Sequence, residues 1–441
     1  MADSPGIRGT RRRGWAARMA CGLAFAALLG VADPVAAHAV PAGEGKPVIV
    51  RLEPGSDPDA QARAAAARGA RVTFVYRDVF PGYAAVLPPG GMRGVEGGPG
   101  VVAVDPDLPV RLSRAEEPAD PGVGSGASWP DRSLLPWGLD RIDQRPPRLS
   151  GRYAPPAADR DGLGVTAYVI DSGIEADHDD LDGRVRSGFT AVDDGRGTDD
   201  CAGHGTHVAG TIGGAARGVA SAVELVPVRT LDCDGGGETA GVVAGTDWAA
   251  RDHHSGTPAV ANLSLAGEAS DTVDAAIRGL VADGVTVAVA AGNEDADACT
   301  SSPGREPTVL SVAATARDDT RAPFSNHGKC VDLFAPGVDV VSDWNTGAAS
   351  TKQLSGTSMA SPHVAGAAAL LLGAAPSLTP AQVAARLVAA ATPGAVRGAR
   401  PGDPNRLLYV GSAAGTPAPV VVTPAPGASP SSGTPAGAAP G

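Results

Sequence analysis

Between Val165 and Leu372 the chain repeats one pattern, a short apolar run followed by a longer segment with helical spacing. The apolar runs are 165–170, 223–229, 259–265, 285–291 and 309–313, and the helical segments are 204–212, 238–252, 272–282 and 357–372. Runs that are apolar throughout, without alternation, need cover on both faces, and intervening helices supply it. The pattern predicts an α/β fold with a parallel sheet flanked by helices. It also places any active site at the carboxyl ends of the strands. Aromatic residues make up only 4% of the 441, so the core must be assembled mostly from Ala, Val and Leu.

Other segments follow different rules. Five arginines precede an apolar stretch, Met19 to Val31, and then Ala37-His38-Ala39, a small-x-small cleavage signal. The stretch is shorter than the ~20 residues of a spanning helix, and the order is that of a secretory signal peptide over 1–39. Within 40–112, strand patterns at 48–52, 71–76, 83–87 and 101–104 and an Ala-rich helix at 57–68 predict a small α+β domain. Residues 113–132 turn to Glu, Pro, Gly, Ser and Asp without periodicity and mark an exposed linker. A larger domain then spans 133–411. The tail 412–441 is Pro, Ala, Thr, Gly and Ser with no core-forming pattern and is expected to be disordered. A net charge of -12 counts against a nucleic-acid partner, because phosphate neutralisation needs clustered Lys and Arg.

Cys21 leaves with the signal peptide, and Cys201, Cys233, Cys299 and Cys330 remain. An even set in an exported chain reads as disulfides, with three pairings open. Locality favours Cys201 with Cys233 and Cys299 with Cys330, each closing a loop worth about 3 to 4 kcal/mol on the chain-entropy estimate. No Cys-x-x-Cys spacing supports zinc.

Three segments combine an acid, a base and a nucleophile with fitting backbone contexts. Asp171 closes the apolar run Val169-Ile170 and is followed by Ser172-Gly173, so its carboxylate can accept an imidazole N–H. Gly203-His204-Gly205-Thr206-His207 opens a helix. Ser358, in Ser355-Gly356-Thr357-Ser358-Met359-Ala360-Ser361-Pro362-His363, stands at a helix start where the dipole favours developing negative charge, with Pro362 expected in the first turn. Asn293, after Ala290-Ala291-Gly292, offers an amide to an oxyanion. Singly, each has an ordinary reading: a strand-end cap, core histidines or part of a metal site at 204 and 207, though three-residue spacing without an adjacent Glu is a poor zinc signature, an N-cap, a turn.

Together, in the order Asp, His, Asn, Ser, these segments resemble the subtilisin-like serine proteases. The likeness runs over about 137–410. Trp137-Gly138-Leu139-Asp140-Arg141-Ile142-Asp143-Gln144, Asn262-Leu263-Ser264-Leu265, Phe324-Ser325-Asn326-His327-Gly328 and Pro404-Asn405-Arg406-Leu407-Leu408-Tyr409 are similar to the proteinase K branch. The locally favoured cysteine pairs match its aqualysin-like members. Residues 46–112, with Phe80-Pro81-Gly82-Tyr83, resemble the inhibitory propeptide of these enzymes, a ferredoxin-like domain that assists folding and is removed autocatalytically.

The resemblance implies a secreted, monomeric serine endopeptidase made as a zymogen, whose partners are protein and peptide substrates and its own propeptide. Asp171 would orient His204, His204 would take the proton of Ser358, and Asn293 with the Ser358 N–H would hold the oxyanion. Substrate would lie as a strand between Gly235-Gly236-Gly237 and Ser264-Leu265-Ala266, with Ala291 and Gly292 in the same cleft. Ala266 stands where the branch usually has Gly, and Thr239 replaces a frequent aromatic. Calcium is the implied metal, with Asp332 and the carbonyls of Pro307 and Val309 as one ligand set and Asp140, Asp143 and Gln144 as another. The other reading is a catalytically silent secreted binding protein on the same fold.

Overall fold

Six strands pair in parallel at the centre of the molecule: Thr166–Asp171, Glu224–Arg229, Ala259–Leu263, Thr286–Ala290, Leu310–Thr315 and Leu333–Pro336. This computed structural model describes residues 45–112, 135–155 and 161–411. The expected signal peptide, linker and tail lie outside the described residues. Short strands at Phe189–Thr190, Arg406–Leu407 and Thr392–Pro393 extend the edges to nine strands. The first long strand in sequence, Thr166–Asp171, sits between Glu224–Arg229 and Ala259–Leu263. The chain therefore winds to one edge and returns across to the other, leaving a crevice at the carboxyl end of Thr166–Asp171.

Alternate side chains of each strand serve two cores. Ala167 and Val169 join the layer of helices His204–Gly213 and Thr357–Ala374, while Tyr168 and Ile170 join that of Thr239–Asp252 and Asp271–Asp283. Thr357–Ala374 is buried almost throughout its length, as expected for a helix that is apolar all round. One expectation is corrected here. The helix begins at Thr357, so Pro362 is not in its first turn but lies inside it.

The N-terminal domain is a four-stranded antiparallel sheet in the order Arg71–Tyr76, Gly82–Leu87, Lys46–Leu52, Val101–Pro106. Val48, Val50 and Leu52 pack with Ala62 and Ala65 of helix Pro58–Ala67 and with Val95 of Met92–Glu96. Asp57 caps the longer helix by accepting from the Ala60 N–H at 2.9 Å, and Pro58 fills its first position. The opposite face presents Ile49, Tyr76 and Ala84, which pack on Ala240, Val243, Ala244 and Ala276 of the two helices Thr239–Asp252 and Asp271–Asp283.

Polar contacts fix this docking. Asp247 Oδ1 accepts the backbone N–H groups of Arg77, Asp78 and Val79 at 2.9, 2.7 and 3.0 Å. Glu238 makes no side-chain cap for helix Thr239–Asp252. Its orphan N–H groups are met from the other domain, Thr239 N–H by the Leu108 carbonyl and Ala240 N–H by Asp107 Oδ1, both at 2.8 Å. The sequence reading ended this domain's strands near 101–104. In the structure a further strand, Pro109–Leu112, leaves its sheet and pairs elsewhere.

Burial, and then the neighbouring Glu238 side chain, push the Asp107 carboxyl up to about 7. In water it would return to about 3.9. A carboxyl whose value is higher when docked takes up a proton on docking, so docking is strongest below about pH 4, weakens up to about pH 7 and is level beyond. Hydrogen-exchange protection of the Arg77, Asp78 and Val79 amides should fall across that window and stay level in Asp107→Asn.

Candidate active site

Three adjacent strands end at one edge of the sheet, and each delivers a polar residue there. Asp171 closes its strand, Ser264 follows Ala259–Leu263, and Gly292-Asn293 follows Thr286–Ala290. Two helices of the covering layer contribute from their starts, His204 as first residue of one and Ser358 as second residue of the other.

Asp171 is fully buried, and its Oδ1 accepts from His204 Nδ1 at 2.8 Å and from the Ser172 N–H at 2.7 Å. A carboxylate can only accept, so the imidazole proton sits on Nδ1 and Nε2 presents its lone pair. Asp200 ties the two segments together. Its carboxylate accepts Ser172 Oγ, the Gly203 N–H and both the N–H and hydroxyl of Thr206, all at 2.7 to 2.9 Å. Ser172 Oγ in turn accepts the Gly205 N–H at 3.0 Å. A Cβ at Gly205 would stand 2.1 Å from the Gly173 carbonyl, so only glycine allows this approach. The sequence reading did not single out Asp200, although an Asp shortly before a helix start is a capping signal. His207 is a core histidine. Burial, with a smaller effect of His204, drives it down to about 3, and its Nε2 sits 3.1 Å from the carbonyls of Val340 and Lys352.

Ser358 is held by a consequence of Pro362. Proline has no N–H, so the carbonyl four residues earlier, that of Ser358, loses the donor that a regular helix would give it. Ser264 Oγ donates to that carbonyl at 2.9 Å, and Ser358 Oγ donates to the Ser264 carbonyl at 3.1 Å. The chain continues inward: Asn262 Nδ2 donates to Ser264 Oγ at 2.9 Å, and Ser361 Oγ donates to Asn262 Oδ1 at 2.6 Å. Asn262, Ser264, Ser358 and Ser361 are all buried. Ser264 thus braces Ser358 as well as lining the cleft, a role visible only once the proline is seen inside the helix.

Asn293 is oriented from behind. Its Oδ1 accepts both the N–H and the hydroxyl of Thr357 at 2.9 Å, which leaves Nδ2 as the arm for donation. The Gly292 N–H donates to Thr357 Oγ1 at 3.1 Å. Buried Asn326 holds the rest of this loop, accepting the Glu294 and Ala296 N–H groups and donating to the Ala291 carbonyl.

The cleft is formed by Gly236–Glu238 on one side and Leu265–Glu268 on the other, and Pro109–Leu112 runs between them, antiparallel to both. Leu112 lies opposite Leu265, Arg111 opposite Ala266 and Gly236, and the Leu112 N–H donates to the Gly235 carbonyl at 3.0 Å. The two disulfides form as locality favours, Cys201 with Cys233 and Cys299 with Cys330.

The two ligand sets expected for calcium differ. Asp332 is half-buried and accepts the Ser311 N–H at 2.8 Å on Oδ2; desolvation pushes it up to about 6. A partly desolvated carboxylate that accepts from one backbone N–H has the character of a ligand for a hard cation. Asp140 does not fit one. Its oxygens already take Gln144 Nε2, Ser150 N–H and Oγ, and the Gly151 N–H, while Asp143 accepts the Ala154 N–H. Asp140, Asp143 and Gln144 therefore brace a loop instead of presenting open ligands.

An imidazole oriented by a buried carboxylate, a braced serine at a helix start and an amide with one arm pinned are the equipment of a serine hydrolase. The Subtilase family model matches residues 162–410, and the chain belongs to that family, as a serine peptidase. It is 46% identical over 341 residues to an extracellular serine proteinase of Thermus sp. (strain Rt41A), covering 77% of this chain and 78% of that one. Alkaline serine exoprotease A of Vibrio alginolyticus is 45% identical over 339 residues, covering 77% of this chain and 60% of its own length. The crystal structure of a cold adapted subtilisin-like serine proteinase matches with a TM-score of 0.60 at 48% identity, covering 63% of this chain and 99% of that one.

Ser264→Ala would strip the buried Ser358 carbonyl of its donor. The expected loss of stability is about 1 to 3 kcal/mol, read by urea unfolding in a Ser358→Ala background to prevent self-digestion.

Proposed function

We propose that the chain is a secreted serine endopeptidase of the proteinase K branch, aqualysin-like, made as a zymogen whose residues 40–112 are an inhibitory propeptide that it cuts off itself. The observation that carries this reading is the strand Pro109–Leu112 lying in the cleft as an extended peptide, paired on both edges and heading toward Ser358. The match to the Thermus relative supports it, since its 341 residues exceed the span of the family match, 162–410. The signal-peptide pattern at 1–39, the two disulfides and the extracellular description of that relative support export.

The chemistry follows from the geometry. Ser358 Oγ turns from the Ser264 carbonyl to His204, passes its proton to Nε2 and attacks the peptide carbonyl. Asp171, with Oδ2 left without a hydrogen bond, keeps its negative charge against the imidazolium that forms. Asn293 Nδ2 and the Ser358 N–H meet the oxyanion, each such donor being worth roughly 2.7 to 4 kcal/mol in the transition state. His204 then protonates the leaving amine, and water resolves the acyl-enzyme by the reverse route. The strand Pro109–Leu112 ends opposite Leu265, beside Ser264, which supports a maturation cut in the linker 113–132 that follows it. Asp332, with the carbonyls of Pro307 and Val309, would hold a structural calcium ion that neutralises the half-buried carboxylate.

Ser358→Ala should accumulate as an uncut precursor with casein hydrolysis lowered by at least about 10⁴-fold. Mass spectrometry of the native preparation should find a fragment that ends within residues 113–132; uncut native chain that nevertheless digests casein would sink the self-processing step. Chelation with EDTA should lower the unfolding temperature of the native protein by several degrees and leave Asp332→Asn, already lower, unmoved.

A further inference from the structure

The hairpin of Val340–Asp343 and Thr351–Leu354 runs straight into Ser355-Gly356 and the helix that carries Ser358. It also lies against the segments around His204. Asn345 Nδ2 donates to the Asp200 carbonyl at 2.8 Å, and His178 Nε2 donates to the Ser350 carbonyl at 2.8 Å. The Trp344 ring packs so closely on Gly203 that a Cβ there would stand 2.4 Å from it. The nucleophile's helix and the base's helix are therefore joined through this hairpin.

Its first strand ends in a carboxyl inside the protein. Asp343 is wholly buried, Asp180 is 8% exposed, and the two carboxyls are within hydrogen-bonding reach of each other. Their Oδ2 atoms converge at the end of helix His204–Gly213, where a Cβ at Gly214 would stand 2.4 Å from that of Asp180 and 3.3 Å from that of Asp343. Neither Oδ2 has a donor among the described residues. A carboxylate only accepts, so two ionised ones in contact would repel each other and leave both atoms orphaned in the interior.

The surrounding groups do not relieve this. Arg217 Nη1 stands 3.4 Å from Asp343 Oδ1 and 3.6 Å from Asp180 Oδ2, a single nitrogen between two carboxyls. Arg184 spends its guanidinium on the carbonyls of Gly213 and Asp180. His178 Nδ1, 3.8 Å from Asp343 Oδ1, accepts the Asp180 N–H, so its proton sits on Nε2. From the helix, His207 turns its Nε2 to the carbonyls of Val340 and Lys352, and from the facing strand Lys352 Nζ stands 4.3 Å over the Trp344 ring. Asp180 Oδ1 accepts the Ala216 N–H at 2.8 Å, which favours Asp180 as the ionised member of the pair. Burial, and then the charge of Asp180, raise the Asp343 carboxyl far above the ordinary range.

We propose that Asp180 and Asp343 share one proton, carried on Asp343 Oδ2 and donated to Asp180 Oδ2, and that this hydrogen bond clasps the hairpin to the end of the His204 helix, so that rising pH releases it. The clasp is independent of the reaction at Ser358. In an opened hairpin Asp343 returns to about 3.9, so the closed form binds the proton more tightly. The clasp is held fully below about pH 4 and weakens with each unit above, until the closed carboxyl itself ionises.

The native protein, inactivated with a sulfonyl fluoride, would be compared with Asp343→Asn and Asp180→Asn by hydrogen exchange of segment 340–354. Asn at 343 can donate to Asp180 at any pH, so dividing each rate by that of Asp343→Asn at the same pH removes the intrinsic base catalysis. The native ratio should rise at least about tenfold between about pH 5 and about pH 8, one proton being worth a factor of about ten per unit. The rise should be smaller in Asp180→Asn, where no second carboxylate opposes Asp343. A level native ratio, or an equal rise in Asp180→Asn, would overturn the proposal. Should Asp343→Asn not fold, the infrared spectrum of the native protein decides. A protonated-carboxyl band at about pH 7.5 that vanishes with added alkali is expected, and its absence, as for a cation held between two carboxylates, overturns the shared proton.

Discussion

The centre of this molecule depends on a carbonyl that loses its regular donor within its own helix. Pro362 lies inside Thr357–Ala374 and cannot donate to the carbonyl of Ser358. In a buried helix that loss has to be met by another element, because an orphaned polar group in the interior is costly. Ser264 meets it from the end of the neighbouring strand, Asn262 fixes Ser264, and Ser361, one turn along the same helix, fixes Asn262. Strand and helix are thereby locked at the point where the candidate nucleophile stands. The proline that weakens the helix internally is what ties it to the sheet.

A similar logic governs the other groups of the site. Asp200 satisfies N–H groups at the start of one helix and so fixes where His204 begins, and Thr357 satisfies Asn293 while starting the other. Helix starts have unpaired donors by construction, and here they supply the hydrogen bonds that place the candidate catalytic side chains. The reactive geometry is a by-product of completing backbone hydrogen bonds at the open edge of a parallel sheet.

Completion also explains the N-terminal domain. The helix Thr239–Asp252 has no cap of its own and borrows one from Asp107 and Leu108, while the edges of the cleft borrow a middle strand from Pro109–Leu112. Both borrowed groups lie within a few residues of each other, so the segment that caps the helix also fills the cleft. Occupation of the site and support of the surrounding structure are therefore one physical contact.

Much of this was legible in the chain. Periodicity located five of the six central parallel strands and four of the helices of the larger domain to within a residue or two, because strands buried on both faces and helices buried on one write their environment into residue order; it missed the strand Leu333–Pro336 and the helix Pro380–Ala390. Asp171, His204, Asn293 and Ser358 stood out through their local motifs, and close spacing favoured the disulfide pairs that form. Less legible were elements whose partners are distant in sequence. The strand Pro109–Leu112 reads as the approach to a linker until Gly236–Glu238 and Leu265–Glu268 are seen on either side of it, and Thr357 and Asn326, though they stand inside recognisable motifs, take their roles from partners distant in sequence. Asp140 and Asp332 look alike as acidic residues. Only the fold surrounds the first with donors and leaves the second partly desolvated with one. Sequence by itself determined which segments become strands, helices and turns, since those depend on local residue order. Which polar atoms find partners was decided by the tertiary structure, because hydrogen bonds across hundreds of residues are set by how the layers come together.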